Sequence, residues 1–335
     1  MSTTDEIIQV KEASKVNLLA TQNVVGVGVG YKIIDGEQTE NFAIVVMVTR
    51  KLPLPALPPN AILPKNVDGV KIDVIEVGEL RALQARTDRW RPAPGGISIG
   101  HYKITAGTFG AVVRDRNSGE RLILSNNHVL ANSNAADPGD EVLQPGPIDG
   151  GSPDVDTIAH LERFCPIEFA TEPGTCDIAD TYASLGNAFA GLFGSKHRLN
   201  TQRSDPQAVN LVDAAVAKPV NDSDVLDEIL EIGTIIGSEE GLLGMSVRKS
   251  GRTTSFTTSQ INLINATVDV NYGSDRTARF ENQFVSGPMS QGGDSGSLLV
   301  AGDSLHAVGL LFAGSNQSTI FNPIQAVLDC LEVEI

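Results

Sequence analysis

Beyond about residue 96 the chain breaks into short β-branched and apolar runs, each closed off by turn residues, and it does so in two successive groups. Such a chain has no long amphipathic stretches from which to build a helical core, so it is expected to fold as antiparallel sheets joined by tight turns. In the first group, 108–114 and 121–124 flank Arg116-Asn117-Ser118-Gly119-Glu120, a strong hairpin signal, and further strands are expected around 141–144, 157–162 and 208–219. In the second, strands are expected at 246–249, 260–272, 277–285, 297–300 and 306–312. The stretch between Cys165 and Pro206 reads as an insertion with a helix over 180–193, 220–232 as an acidic linker with some helical turn, and 323–331 as an amphipathic terminal helix. Only 5% aromatic residues together with 33 glycines suit a strand-rich chain with tight turns.

The first 93 residues read differently. Thr3 and Glu6 have capping-box spacing ahead of a helix expected over 4–21. Runs at 24–34 and 42–49 around a turn at Asp35-Gly36-Glu37, then a third run at 70–77, complete a small α/β domain. Gly26, Gly28 and Gly30 look superficially like a nucleotide-binding loop, but that fingerprint needs a helix after the glycines, and here a turn and a strand follow. Glycines at alternate positions instead mark a strand face on which a neighbour packs closely. The prolines of 52–59 call for an extended crossing, and 86–96 reads as the boundary between domains. Strand edges make this domain a candidate regulatory or assembly module, meeting another copy or a regulatory partner.

A formal charge of −16 opposes binding to a phosphate backbone, so no nucleic-acid partner is expected. No apolar stretch has the length of a membrane span, and Met1-Ser2-Thr3-Thr4-Asp5-Glu6 lacks the basic and apolar regions of a secretory leader; no membrane partner and a cytoplasmic location are the expectations. Three cysteines are a poor disulfide framework. A Cys165–Cys176 bridge across a loop stays open, while Cys330 is expected in the core of the terminal helix. The five histidines are dispersed and no Cys-x-x-Cys occurs, so no metal or other cofactor is expected.

One stretch carries chemistry. Gly292-Gly293-Asp294-Ser295-Gly296-Ser297 places a small hydroxyl on a tight turn that leads into the apolar run Leu298-Leu299-Val300. A serine there is a candidate nucleophile, and it needs a general base, an orienting acid and a place for negative charge. His128, in Ser125-Asn126-Asn127-His128-Val129-Leu130-Ala131, stands where a strand ends and a helical turn begins; a purely structural histidine is the alternative. Asp213 lies inside an otherwise apolar expected strand and needs a partner if buried; an edge or turn position would spare it that need. Asp154, Asp156, Asp177 and Asp180 also follow His128, but in polar loops.

The order His128, Asp213, Ser295 resembles that of the chymotrypsin-like serine peptidases. The resemblance covers roughly 94–335 and implies a mostly β fold, a double antiparallel β-barrel with barrels at about 94–220 and 240–320 and a C-terminal helix, preceded by the small α/β domain of 1–93. More narrowly, Ser125-Asn126-Asn127-His128-Val129-Leu130, Lys249-Ser250-Gly251-Arg252-Thr253-Thr254 and Gly293-Asp294-Ser295-Gly296 look like the intracellular trypsin-like peptidases of bacteria and plants related to the plant NARROW LEAF protein. The resemblance implies a serine endopeptidase acting on protein or peptide substrates: Ser295 as nucleophile, His128 as general base, Asp213 holding the imidazole, and the amides of Gly293 and Ser295 as oxyanion hole. It implies a substrate pocket drawn from Met289, Ser290, Phe312, Ala313 and Gly314. No acid stands at the pocket base, which favours a small or medium apolar side chain over lysine or arginine. A cut before Ile97 would supply an amine to pair with Asp294, but an uncut active chain is the expectation. A catalytically silent member of the fold, serving as a peptide-binding or assembly scaffold, is the second reading.

Overall fold

In the computed structural model, which describes residues 4–34, 37–78, 80, 84–174 and 176–335, the N-terminal β-branched runs pair as expected. Strands Val24–Ile34 and Glu37–Val48 are antiparallel, and Val70–Glu76 lies parallel to the second of them. The period-2 pattern decides which side chains face inward: Ile44, Val46 and Val48 alternate into a core closed by Ile7 and Leu18 of the helix Thr4–Leu19 and by Val70. Thr3 of the expected cap and the turn residues Asp35 and Gly36 lie outside the described residues. The proline-rich crossing is not extended throughout. It carries 3₁₀ turns at Leu54–Ala56 and Pro59–Ala61, which proline tolerates because the first residues of a helical turn have no amide partner to lose.

The chain divides into two units, Met1–Gln84 and Ala85–Ile335. In the larger, two sheets and a C-terminal helix form a mostly β architecture. One has eight strands in the order Val333–Glu334, Ala111–Asp115, Arg121–Ser125, Ala215–Pro219, Thr157–Phe164, Glu141–Leu143, Ser98–His101, Gly107–Thr108. The other is built on Ser246–Gly251, Ser255–Asn271, Thr277–Ser286, Leu298–Ala301 and His306–Gly314, and Thr319–Pro323 pairs with both Thr277–Ser286 and His306–Gly314. Ile324, Val327 and Leu328 of the terminal helix Ile324–Cys330 enter one core with Val113, Leu122 and Val216 of the first sheet and Leu298, Val300 and Leu310 of the second. That shared core joins the two sheets.

Several expectations change. Asp213 is not within a strand, since pairing begins only at Ala215. The expected acidic linker contains the strand Val225–Ile229, parallel to Ala93–Gly95, because Val225 and Ile229 have apolar cores to enter. Residues 86–96 are packed into the larger unit, where the Arg86 guanidinium donates to Gly96 O and Ser250 Oγ, both at 2.8 Å. Cys330 is exposed at the end of its helix and is bonded to Cys165, while Cys176 is free. The Cys165–Cys176 bridge is therefore excluded: the terminal helix, packed across both sheets, brings Cys330 to a Cα–Cα distance of 6.3 Å from Cys165. No helix among the described residues is long and apolar enough to cross a membrane.

Candidate active site

Strand Arg121–Ser125 delivers the chain to the one-turn helix Asn127–Leu130. Val129, Leu130 and Ala131 are buried and anchor that turn, leaving His128 at the surface of the cleft with about a fifth of its side chain exposed (22%). Two asparagines fasten the turn from below. Asn126 Nδ2 donates to Asp213 O at 2.7 Å and Asn127 Nδ2 to Cys165 O at 2.8 Å.

Asp213 is fully buried, and its need for partners is met. Oδ2 lies 2.6 Å from His128 Nδ1 and accepts the Tyr272 hydroxyl at 2.7 Å, while Oδ1 accepts the His128 amide at 3.2 Å. A carboxylate only accepts, so this contact calls for a hydrogen on Nδ1, and in a neutral imidazole the lone pair is then on Nε2. Tyr272 follows strand Ser255–Asn271 of the second sheet, and Asn322 of that sheet accepts the Asp213 amide at 3.0 Å. The acid thus stands at the seam, held from both sides. Burial, then the Asp213 charge, pushes the Tyr272 phenol well above its ordinary range, which keeps it a neutral donor.

Ser295 lies on a turn with two left-handed glycines, Gly293 at φ +96° and Gly296 at φ +94°. A Cβ on Gly296 would stand 2.1 Å from Ser125 Oγ and 2.4 Å from Thr108 O, so only glycine lets the turn settle against the end of the strand that leads to His128. Thr108 N donates to Ser295 O at 2.7 Å and Thr108 Oγ1 to Gly293 O at 2.9 Å. The amides of Gly293 and Ser295 donate to no acceptor among the described residues. No hydrogen bond joins Ser295 Oγ to His128.

Asp294, between these residues, points inward and is fully buried beside the equally buried Lys249, with Nζ 3.3 Å from Oδ2. It also accepts the amides of Thr253 at 2.8 Å, Thr254 at 3.1 Å and Gln291 at 2.9 Å, and the Thr254 hydroxyl at 2.6 Å. Burial raises the carboxyl's affinity for a proton, but the Lys249 charge and these donors outweigh it, so Asp294 titrates below the ordinary carboxylate range; burial in turn lowers Lys249. The cation paired with Asp294 is Lys249.

A cavity of about 440 Å³ opens beside Ser295, lined by Ser290, Gln291, Gly292, Leu311, Ala313, Gly314, Ser315 and Asn316. Of the expected pocket residues, Ser290, Ala313 and Gly314 line it. Met289 and Phe312 do not: Met289 packs among Val247, Ile261 and Phe321, and Phe312 against Phe280 with ring centroids 4.7 Å apart. Strand alternation turns Phe312 inward when Ala313 faces the cavity. Sequence reasoning also missed Tyr272, Asn322 and Lys249. For Lys249 there was a signal, a cation in a run whose neighbours are expected strand residues.

Comparison with known proteins finds likeness in both units. Residues 2–77 match the model of the NARROW LEAF 1 N-terminal domain. The match falls in the smaller unit, not in the motifs that carried the narrower resemblance. Among solved structures, a Nocardiopsis protease is 16% identical at a TM-score of 0.46, covering 72% of this chain and 97% of its own. Thermobifida fusca protease A is 16% identical at a TM-score of 0.44, covering 72% and 96%. A glutamic acid-specific serine protease is 19% identical at a TM-score of 0.46, covering 72% and 100%. No curated protein matches the chain.

Proposed function

We propose that the chain is a serine endopeptidase forming its acyl-enzyme on Ser295. The observation that carries this reading is the contact of the part-exposed His128 with the buried Asp213, with Nε2 left as a base, on the strand end against which the Ser295 turn packs. His128 Nε2 takes the Ser295 proton as Oγ attacks the substrate carbonyl, and the oxyanion is received by the amides of Gly293 and Ser295. Collapse of that intermediate expels the amine, which takes the proton from His128; water repeats the sequence to free the acid. Asp213 holds the imidazole and stabilises its cation. Hydrogen bonds at such sites tighten when substrate binds, which accommodates the absence of a Ser295–His128 bond in the free chain.

No lining residue of the cavity beside Ser295 is charged, which supports an uncharged substrate side chain there. In this reading the two sheets are the two barrels. The second has six strands paired in a circuit, since Thr319–Pro323 links Thr277–Ser286 back to His306–Gly314. The smaller unit is then the regulatory or assembly domain. The Cys165–Cys330 bond belongs to an oxidising setting; in a reducing compartment both would stand as thiols.

A fluorophosphonate probe tests the enzyme directly. Wild type should label and Ser295→Ala should not, and wild type inert under all conditions would favour the silent scaffold, the reading that the missing Ser295–His128 bond favours.

A further inference from the structure

The helix Asp177–Leu192 buries none of its side chains. Its polar face fastens it: Asn187 Nδ2 donates to Leu199 O at 2.9 Å and Asn187 Oδ1 accepts the Leu199 amide at 2.6 Å. The opposite face carries Ile178, Tyr182, Leu185, Phe189 and Leu192, spaced by four, three, four and three residues, and Phe193 continues the stripe. These six are 62% to 78% exposed. An ordinary surface helix turns its apolar stripe to the core, and this one turns it to solvent.

With large side chains carrying roughly 150–250 Å² each, the stripe leaves about 800 Å² of apolar surface uncovered. The largest patch on a typical monomer is about 300–600 Å², and one partner of a stable complex contributes about 800 Å². We propose that a second copy of this chain covers the stripe, with the two helices antiparallel about a two-fold axis near Leu185. Charge selects this occupant and this direction. Asp177 sits in the first turn and flanks the stripe, Asp180 is on the fastened face bonded to Thr201, and Lys196 and Arg198 follow the last turn. Antiparallel pairing sets Asp177 of one copy beside the bases of the other at both ends, whereas parallel pairing would set like against like. A lipid surface fits poorly, because the helix has no lysine or arginine and the chain carries a net charge of −16. The pairing sets Ile178 against Phe193, Tyr182 against Phe189, and Leu185 against its own counterpart. It places assembly on the larger unit and does not depend on the peptidase reading.

Light scattering and sedimentation of the full chain test it. Wild type should run at twice the 35.4 kDa of one chain, and Leu185→Asp, its fold checked by circular dichroism, should associate about 30-fold or more weakly. Asp177→Lys should weaken the dimer, and adding Lys196→Asp to it should restore association. In a Cys176→Ser background, Leu185→Cys should cross-link to itself under mild oxidation and Ile178→Cys should not. A monomeric wild type at the highest attainable concentration, or a Leu185→Asp chain that stays dimeric, would overturn the proposal. So would self-linking of Ile178→Cys as readily as Leu185→Cys, or a wild type that floats with phospholipid vesicles as a monomer.

Discussion

Replacing Lys249 by methionine tests how the turn that carries Ser295 is held. Methionine fills most of the space but removes the cation 3.3 Å from Asp294, leaving a carboxylate with no exposed surface. Removing one partner of a buried pair typically costs 3–5 kcal/mol. Asp294 keeps the amides of Thr253, Thr254 and Gln291 and the Thr254 hydroxyl, so the loss should fall near the lower end, about 3 kcal/mol at neutral pH. Urea unfolding followed by Trp90, the one tryptophan and a residue of the larger unit, gives the measurement. The pH dependence has a defined sign. In wild type the Asp294 carboxyl is depressed below its unfolded value, so its stabilising contribution is present above about pH 4 and is lost as pH falls through the folded value. Without Lys249 the carboxyl is depressed less, so the variant loses less stability than wild type as the pH falls. The gap between the two proteins should therefore narrow from pH 7 toward pH 4. A deficit below about 1 kcal/mol at pH 7, or one that widens on acidification, would refute the role given to the pair.

Tyr272→Phe removes one donor to a buried carboxylate, worth about 1.5–3 kcal/mol, and should lower kcat/KM roughly 10- to 100-fold with little change in fold. Gly293→Ala should abolish most fluorophosphonate labelling: the Arg252 and Thr253 side-chain ends near its Cβ can give way, but φ +96° cannot be held by alanine without strain of about 1–3 kcal/mol, so the amide turns away. Cys330→Ser opens a loop of 165 residues and should cost up to about 5 kcal/mol on the chain-entropy estimate, read as a lower urea midpoint that reductant reproduces in wild type. Intact-mass measurement of active protein should show no cut before Ile97, because Lys249 already neutralises Asp294.

The positions of most strands were legible because β-branched runs and turn residues act locally: 24–34, 111–115, 277–286 and 306–314 pair close to where periodicity places them. Asp213 was legible as an acid in need of partners, since a carboxylate among alanines and valines has no other way to be buried. Its partners were not legible. Tyr272 and Asn322 lie 59 and 109 residues further along and are brought back by pairing in the second sheet. The same limit explains the pocket: Met289 and Ser290 are adjacent in sequence, yet only the packing of Met289 against Val247 and Phe321 decides which of the two faces the cavity. Cys330 repeats the lesson across 165 residues.

The sequence alone therefore determined the two groups of strands, the glycine turn around Ser295, the histidine at a strand end and the acid among apolar residues, because each depends on neighbours within a few positions. The tertiary structure decided what holds them: a lysine buried under Asp294, a tyrosine and an asparagine at Asp213, and an apolar helix face left to solvent. These are set by which surfaces meet when the two sheets close on one core, and no local pattern encodes that meeting.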